Sequence, residues 1–463
     1  MNDASRPWAA QAMAQFAVST AWQRLPEAVR TEAARAWVNW VGCTIGGSRT
    51  PSMQAAVGGV TAMGSQGDVP LLGRAERMSA ADAALLNCLA SSVLTYDDTH
   101  LATITHPTGP VAGAVHAAAH RLASTGRPVS GEAFLTALMV GMELECRISC
   151  AIASGGAHGG WYMTGLAGGI GAAAAVGQLL GLTQAQMSDA IGLAAAQASG
   201  MRAVHGSIAI AFVPGVAARS GLNAAFLAGA GFDCSPISVD GRNGLLQVLT
   251  GGSNAEAIID GLGERFEVLA NSYKPYPCGI VIHPALDACL WLAQHHAIDA
   301  SRIASIELRV HPSAMKLCWR KLPQTELDAQ VSLFHWVAAS LVFALAGVEQ
   351  GRQRSVMDPR VRALQEITSV VEVADLGDTQ ASVRLTMSDG SMLERFTECV
   401  TGSAGNPMTD AQLDLKFEQQ VMPVLGRDGT RALLKASRNL ANAADVAHES
   451  ALAITSNSEP EAA

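Results

Sequence analysis

The run LTYDDTHLATITHPTGP, Leu94 to Pro110, gathers two adjacent acids, two histidines and a series of threonines between segments rich in Ala, Gly and Leu. Asp97, Asp98, His100 and His106 offer the oxygen and imidazole groups that zinc or manganese accepts. Their spacing matches no fixed metal motif such as HExxH. A polar loop held by Asx-type turns is the plainer reading. A third reading makes His106 a general acid or base. It stands just before Thr108-Gly109-Pro110, where a helix begins and backbone amides would favour a carboxylate.

Other groupings carry weaker signals. His116 and His120 lie one helical turn apart, and Cys146 and Cys150 neighbour Glu143 and Glu145. Both fit a polar helix face or small buried side chains as well as they fit a metal site. The loop NSYKPYPCGIVIHP holds Tyr273, Lys274, Tyr276, Cys278 and His283 among three prolines. Burial in so stiff a loop could lower the lysine pKa; a solvent-exposed hinge lysine is the alternative. GGAHGGWYMTG, Gly155 to Gly165, lacks the GxxxxGK[ST] pattern, and its Trp161 and Tyr162 read first as packing residues.

These residues need elements to hold them. The chain has 463 residues, 49% hydrophobic and 15% charged, and so reads as globular with two domains. The net charge of −9 gives no general attraction to nucleic acid. Nine cysteines without a CxxC pair argue against a disulfide framework. The opening MNDASRPWAAQAMAQF lacks a basic stretch followed by an apolar run, so the expected setting is cytoplasmic. TGLAGGIGAAAAVGQLLGL, Thr164 to Leu182, is long enough to span a bilayer. Its Gly and Ala content and missing aromatic belt favour a central buried helix, with no membrane partner.

Ala-rich helical periodicity dominates up to about residue 270. Ser79 with Asp82, Thr183 with Gln186 and Thr409 with Gln412 mark helix starts. Strand alternation first appears in IASIELRVHP, TSVVEVAD and ASVRLTMSDGSMLERF, the last turning at Ser388, Asp389 and Gly390. The expected fold is mainly α: a large helical domain with an inserted α+β lid domain. Its parts are residues 1–270, the lid at 271–404, a helical return at 405–455 and a disordered tail at 456–463.

The segments YDDTHLATITHPTGP, MTGLAGGIGAAAAVGQLLGLTQAQMSDAIGLAAAQASGMR, YKPYPCGIVIHP and GNPMTDAQLDLKF resemble, in order and spacing, the signature segments of the MmgE/PrpD family. The resemblance implies the same helical-plus-lid fold, a homodimer and chemistry that needs no metal or organic cofactor. The family includes 2-methylcitrate dehydratase, cis-aconitate decarboxylase and iminodisuccinate epimerase. The resemblance puts Thr99, His106 and Lys274 on active-site positions of the family. Elsewhere the chain departs. Thr95 stands where related lyases carry an acid, and Tyr162 where they carry a histidine. Ile210 replaces a lysine, Gly279 a second histidine of the decarboxylase, and His335 a tyrosine. Losing a buried cationic partner removes about 2–3 kcal/mol from the binding of a tricarboxylate.

The expected activity is therefore abstraction of a proton next to a carboxylate of a small di- or tricarboxylic acid. His106, Lys274, Tyr162 and His335 are the candidate proton-transfer residues. Thr99, Asp98, Thr95, Arg202 and Tyr276 are the candidate substrate contacts, Arg202 by a bidentate fork. A dehydratase-type carbon–oxygen lyase is the leading expectation. A two-base epimerase using Tyr162 and Lys274 is the first alternative, and a non-catalytic ligand-binding homologue the second.

Overall fold

The computed structural model describes residues 7–156, 159–252 and 254–454. The expected disordered tail and His158 of the glycine-rich segment lie outside these residues. Helices of at least eight residues are α1 (Ala9–Ser19), α2 (Glu27–Gly47), α3 (Pro51–Ala62), α4 (Ala80–Ser92), α5 (Thr108–Ala123), α6 (Gly131–Ser154), α7 (Met163–Leu180), α8 (Gln184–Ala195), α9 (Ala209–Gly229), α10 (His283–His295), α11 (Leu333–Phe343), α12 (Pro359–Glu366) and α13 (Asp410–Arg438). Four strands longer than two residues follow α9: β1 (Ile303–Val310), β2 (Thr368–Glu372), β3 (Ala381–Met387) and β4 (Met392–Thr397).

The chain divides into two compact units. The first comprises residues 1–93, 97–271 and 409–463; the second comprises 272–408 with the tripeptide Leu94–Tyr96. The first unit is helical, as its composition dictates. Helix α7 is its centre, packed by α5, α6, α8 and α9. That crowding is possible because the contact faces are glycine and alanine. A Cβ on Gly141 of α6 would stand 2.6 Å from the Gly171 carbonyl oxygen of α7. One on Gly221 of α9 would stand 2.5 Å from that of Gly169. Helices α7 and α9 are long and apolar enough to cross a bilayer, but 78% of the α7 window is buried inside the protein.

The sequence signals for helix starts appear as side-chain caps. Thr183 Oγ1 accepts from the Gln186 amide and Thr409 Oγ1 from that of Gln412, with both glutamines reaching back. Helix α13 breaks at Gly426, whose φ of +70° no side-chain-bearing residue adopts easily.

In the second unit the strands form one sheet in the order β2-β1-β3-β4. β1 pairs parallel with β2, and antiparallel with β3, which pairs antiparallel with β4. Alternation buries Ile306, Leu308 and Val310 of β1 with Val383 and Leu385 of β3. Leu286 and Leu292 of α10, Trp336 and Val337 of α11 and Leu364 of α12 complete that core.

Candidate functional site

In the helical unit the candidate residues lie on the loop between α4 and α5. His100 and Thr105 close a short turn: the His100 amide donates to Thr105 O at 2.8 Å. Ile104 within it has φ +53°, a costly conformation for a β-branched residue. The turn delivers His106 to the first residues of α5.

The imidazole of His106 is held on one edge. Its Nδ1 lies 2.8 Å from the Asp98 carbonyl oxygen and 3.1 Å from Thr99 Oγ1. A carbonyl only accepts, so Nδ1 carries a proton and Nε2 is the nitrogen left to gain or lose one; Asp97 Oδ2 lies 3.8 Å from the same Nδ1. The His106 amide donates to Thr164 Oγ1 at 3.0 Å, tying the loop to the first turn of α7. Asp98 anchors the same loop from beneath. Its Oδ2 accepts from Thr108 Oγ1 at 2.6 Å and from Asn271 Nδ2 at 2.8 Å. Burial pushes the Asp98 carboxyl up, and these two donors act against that. Asp98 and Thr99 are both buried, so they act on His106 rather than on solvent.

Tyr162 caps the start of α7 and stands edge-on to His106, ring centroids 6.0 Å apart. On its other side is His205, at 5.8 Å. Burial, with Asp97 adding to it, raises the Tyr162 phenol well above its usual range. Tyr162 is thus a phenol at neutral pH, a proton donor and not a base. Arg202, half-buried, belongs to the same neighbourhood: its amide donates to Gly160 O at 2.8 Å, beside a bridge pairing Trp161 with Met201.

Of the sequence candidates, the helical unit brings together Asp98, Thr99, His106 and Tyr162 side by side. Asp97, Thr108, Thr164, His205 and Asn271 join them. Asp97 and Thr108 lie in the run that stood out in the sequence; Thr164, His205 and Asn271 come from three other segments and had no distinctive spacing. Glu145, a plain helix-face residue by sequence, is fully buried, and neither carboxyl oxygen has a hydrogen-bond partner among the described residues. Burial, with Asp98 adding to it, pushes its carboxyl well up, so Glu145 is a neutral acid. Its sequence signals were its place beside Cys146 and its charge inside the apolar run of α6.

The other candidates belong to the α+β unit. Thr95 has φ +52°, and its hydroxyl donates to Gln330 Oε1 at 2.8 Å. Lys274 is buried, close enough to Cys278 and Cys318 to oppose the rise that burial gives both thiols. Tyr276 donates to Asp287 Oδ1 at 2.6 Å. A Cβ at Gly279 would lie 2.7 Å from Cys318 Sγ, so a side chain there requires that buried thiol to move. His335 sits in the interior of this unit. Its Nε2 is 2.8 Å from Gln350 O, and Gln365 Nε2 lies 3.5 Å from its Nδ1. Burial brings its pKa down to about 4. That enclosure describes a packing residue.

Two family models together cover most of the chain, the second running from the α+β unit into α13 of the helical unit. The MmgE/PrpD N-terminal domain matches residues 11–258, and the MmgE/PrpD C-terminal domain matches residues 276–442. Among characterised proteins, a cis-aconitate decarboxylase of Aspergillus terreus is 27% identical over 71% of this chain and 70% of its own length. A cis-aconitate decarboxylase-like protein of Aspergillus oryzae is 25% identical over 92% and 93%. The cis-aconitate decarboxylase of Homo sapiens is 25% identical over 78% and 77%.

Proposed function

The chain belongs to the MmgE/PrpD family, and we propose that it is a lyase acting on a small di- or tricarboxylic acid by proton transfer at the carbon next to a carboxylate. The observation that carries this reading is the imidazole of His106, held through its Nδ1 proton by the Asp98 carbonyl, beside a phenol that stays protonated. A base and an acid with distinct roles are what elimination requires.

The specific form we favour is loss of water. His106 Nε2 takes the proton from the carbon α to the carboxylate. The electrons of that C–H bond form the double bond as the C–O bond breaks. The departing hydroxide takes the Tyr162 proton and leaves as water. The proton held on His106 then returns to the Tyr162 phenolate through solvent. Arg202, and Lys274 by resemblance, are the cations for substrate carboxylates. Ile210 removes one further cation, which favours two carboxylates over three.

Decarboxylation is the second reading, favoured by the activity named for the relatives. There the C–CO2 bond breaks and Tyr162 protonates the carbanion. A two-base epimerase is less well supported, because the phenol of Tyr162 does not serve as a base at neutral pH.

Incubation with a panel of hydroxylated and unsaturated polycarboxylic acids tests these forms. Near-ultraviolet absorbance reads a conjugated alkene, trapped CO2 reads decarboxylation, and deuterium uptake from D2O reads proton exchange. Alkene formation supports dehydration. Deuterium uptake without alkene or CO2 would overturn the lyase reading in favour of epimerisation.

A further inference from the structure

On the helical unit, away from Tyr162, three potential ligands from three separate segments converge. They are Nε2 of His100 in the loop, Sγ of Cys150 on α6 and a carboxylate oxygen of Glu267. All lie within 4.8 Å of one another. Glu267 Oε2 is 3.8 Å from His100 Nε2 and 4.0 Å from Cys150 Sγ. The other carboxylate oxygen, Oε1, faces Arg265 at 3.8 Å.

The tautomer of His100 decides what this cluster can hold. Its Nδ1 is 2.9 Å from Thr103 Oγ1. The Thr103 hydroxyl spends its single proton on Thr105 Oγ1, at 2.9 Å, so toward His100 it accepts. Nδ1 therefore bears the ring proton and Nε2 presents a lone pair. Nε2 is buried and has no hydrogen-bond partner among the described residues. The Cys150 thiol donates toward Glu267 Oε2 at 4.0 Å, which leaves the buried Nε2 lone pair of His100 without a donor of its own and open to a cation shared with that carboxylate and the sulfur. The arrangement of Thr103 behind the imidazole is also the way metal-binding histidines are oriented by a second partner.

We propose that His100, Cys150 and Glu267 form a zinc site, with water completing a tetrahedral set. Imidazole, thiolate and carboxylate are all accepted zinc ligands. Contraction of the cluster by rotation of the Cys150 and Glu267 side chains, both partly solvent-exposed, brings the donors to zinc distances. Binding displaces the Cys150 thiol proton to solvent. The charges around the site are Arg265 beside Glu267, and Arg147 and Glu143 near Cys150. The ion would tie the loop carrying Thr99 and His106 to α6. It supplies no step of the proposed reaction.

Chelator-treated full-length protein titrated with Co2+ alone, and then with Zn2+ alone, tests the site. The expected result is a sulfur-to-cobalt charge-transfer band, displaced by zinc, with one ion bound per chain. Cys150→Ser should abolish the band, and Glu267→Gln should weaken zinc binding about tenfold or more. Both variants must melt as the wild type does in chelator. Absence of the band in the wild type overturns the proposal, as does its persistence in Cys150→Ser. Should Cys150→Ser not fold, slower alkylation of wild-type Cys150 in zinc, read by peptide mass, replaces it. Equal alkylation rates with and without zinc overturn the proposal.

Discussion

At the residue scale, the candidate imidazole is defined by the hydrogen bond at its Nδ1. The Asp98 carbonyl fixes the proton on Nδ1 of His106, and so fixes which nitrogen is basic. His106→Asn should lower kcat about a hundredfold to ten-thousandfold with little change in Tm. Thr99→Val keeps the imidazole but loosens it, and should lower kcat less. Glu145 makes a prediction about pH. Its carboxyl is raised in the folded protein, so between the unfolded value near 4.5 and the folded value the native state holds more protons than the unfolded chain. Stability from this residue is therefore lost as pH rises through that window. Glu145→Gln should raise Tm above wild type at pH 7 and above, with the difference shrinking toward pH 4. A Tm lower than wild type at pH 8 would show the acid to be held by a partner.

At the scale of elements, local signals in the sequence were faithful and long-range ones were missing. The capping pairs Thr183–Gln186 and Thr409–Gln412 are visible because both partners lie within one helical turn. The β3–β4 hairpin is visible for the same reason, its turn marked by Asp389 and Gly390. The grouping of Asp98 with Asn271, or of His100 with Cys150 and Glu267, has no such local mark. His335 shows the converse: a titratable residue that stood out in the sequence is enclosed in the interior of its unit, with Nε2 2.8 Å from Gln350 O. Two variants probe the elements. Gly171→Val should fail to fold or lose several kcal/mol, since even a Cβ meets the Gly141 carbonyl at 2.5 Å. His335→Leu removes an imidazole whose folded pKa is about 4. The native state holds fewer protons than the unfolded chain between that value and about 6.5. Wild-type stability from His335 is thus lost as pH falls through this window. Denaturation curves at pH 7.5 and 5 should show the His335→Leu variant less sensitive to acid than the wild type.

For the whole molecule, composition alone announced a helical protein, since Ala and Gly pack helices at close range and strand alternation is confined to 303–397. What composition could not announce was the return of Leu94–Tyr96 to the α+β unit, a tripeptide too short to have a pattern of its own. Nor could it show that a Cβ at Gly279 would meet Cys318 Sγ at 2.7 Å. Gly279→His alone should therefore fail to install a decarboxylase-like histidine and should lower Tm. The measurement that bears most directly on the proposed chemistry is proton NMR of polycarboxylic acids in D2O with wild type and His106→Asn side by side. The wild type is expected to convert at least one acid, with loss of the proton next to a carboxylate, and His106→Asn, equally folded, to do so at least about a hundredfold more slowly. Equal rates for the two proteins, or no conversion and no deuterium exchange by the wild type, would contradict that chemistry.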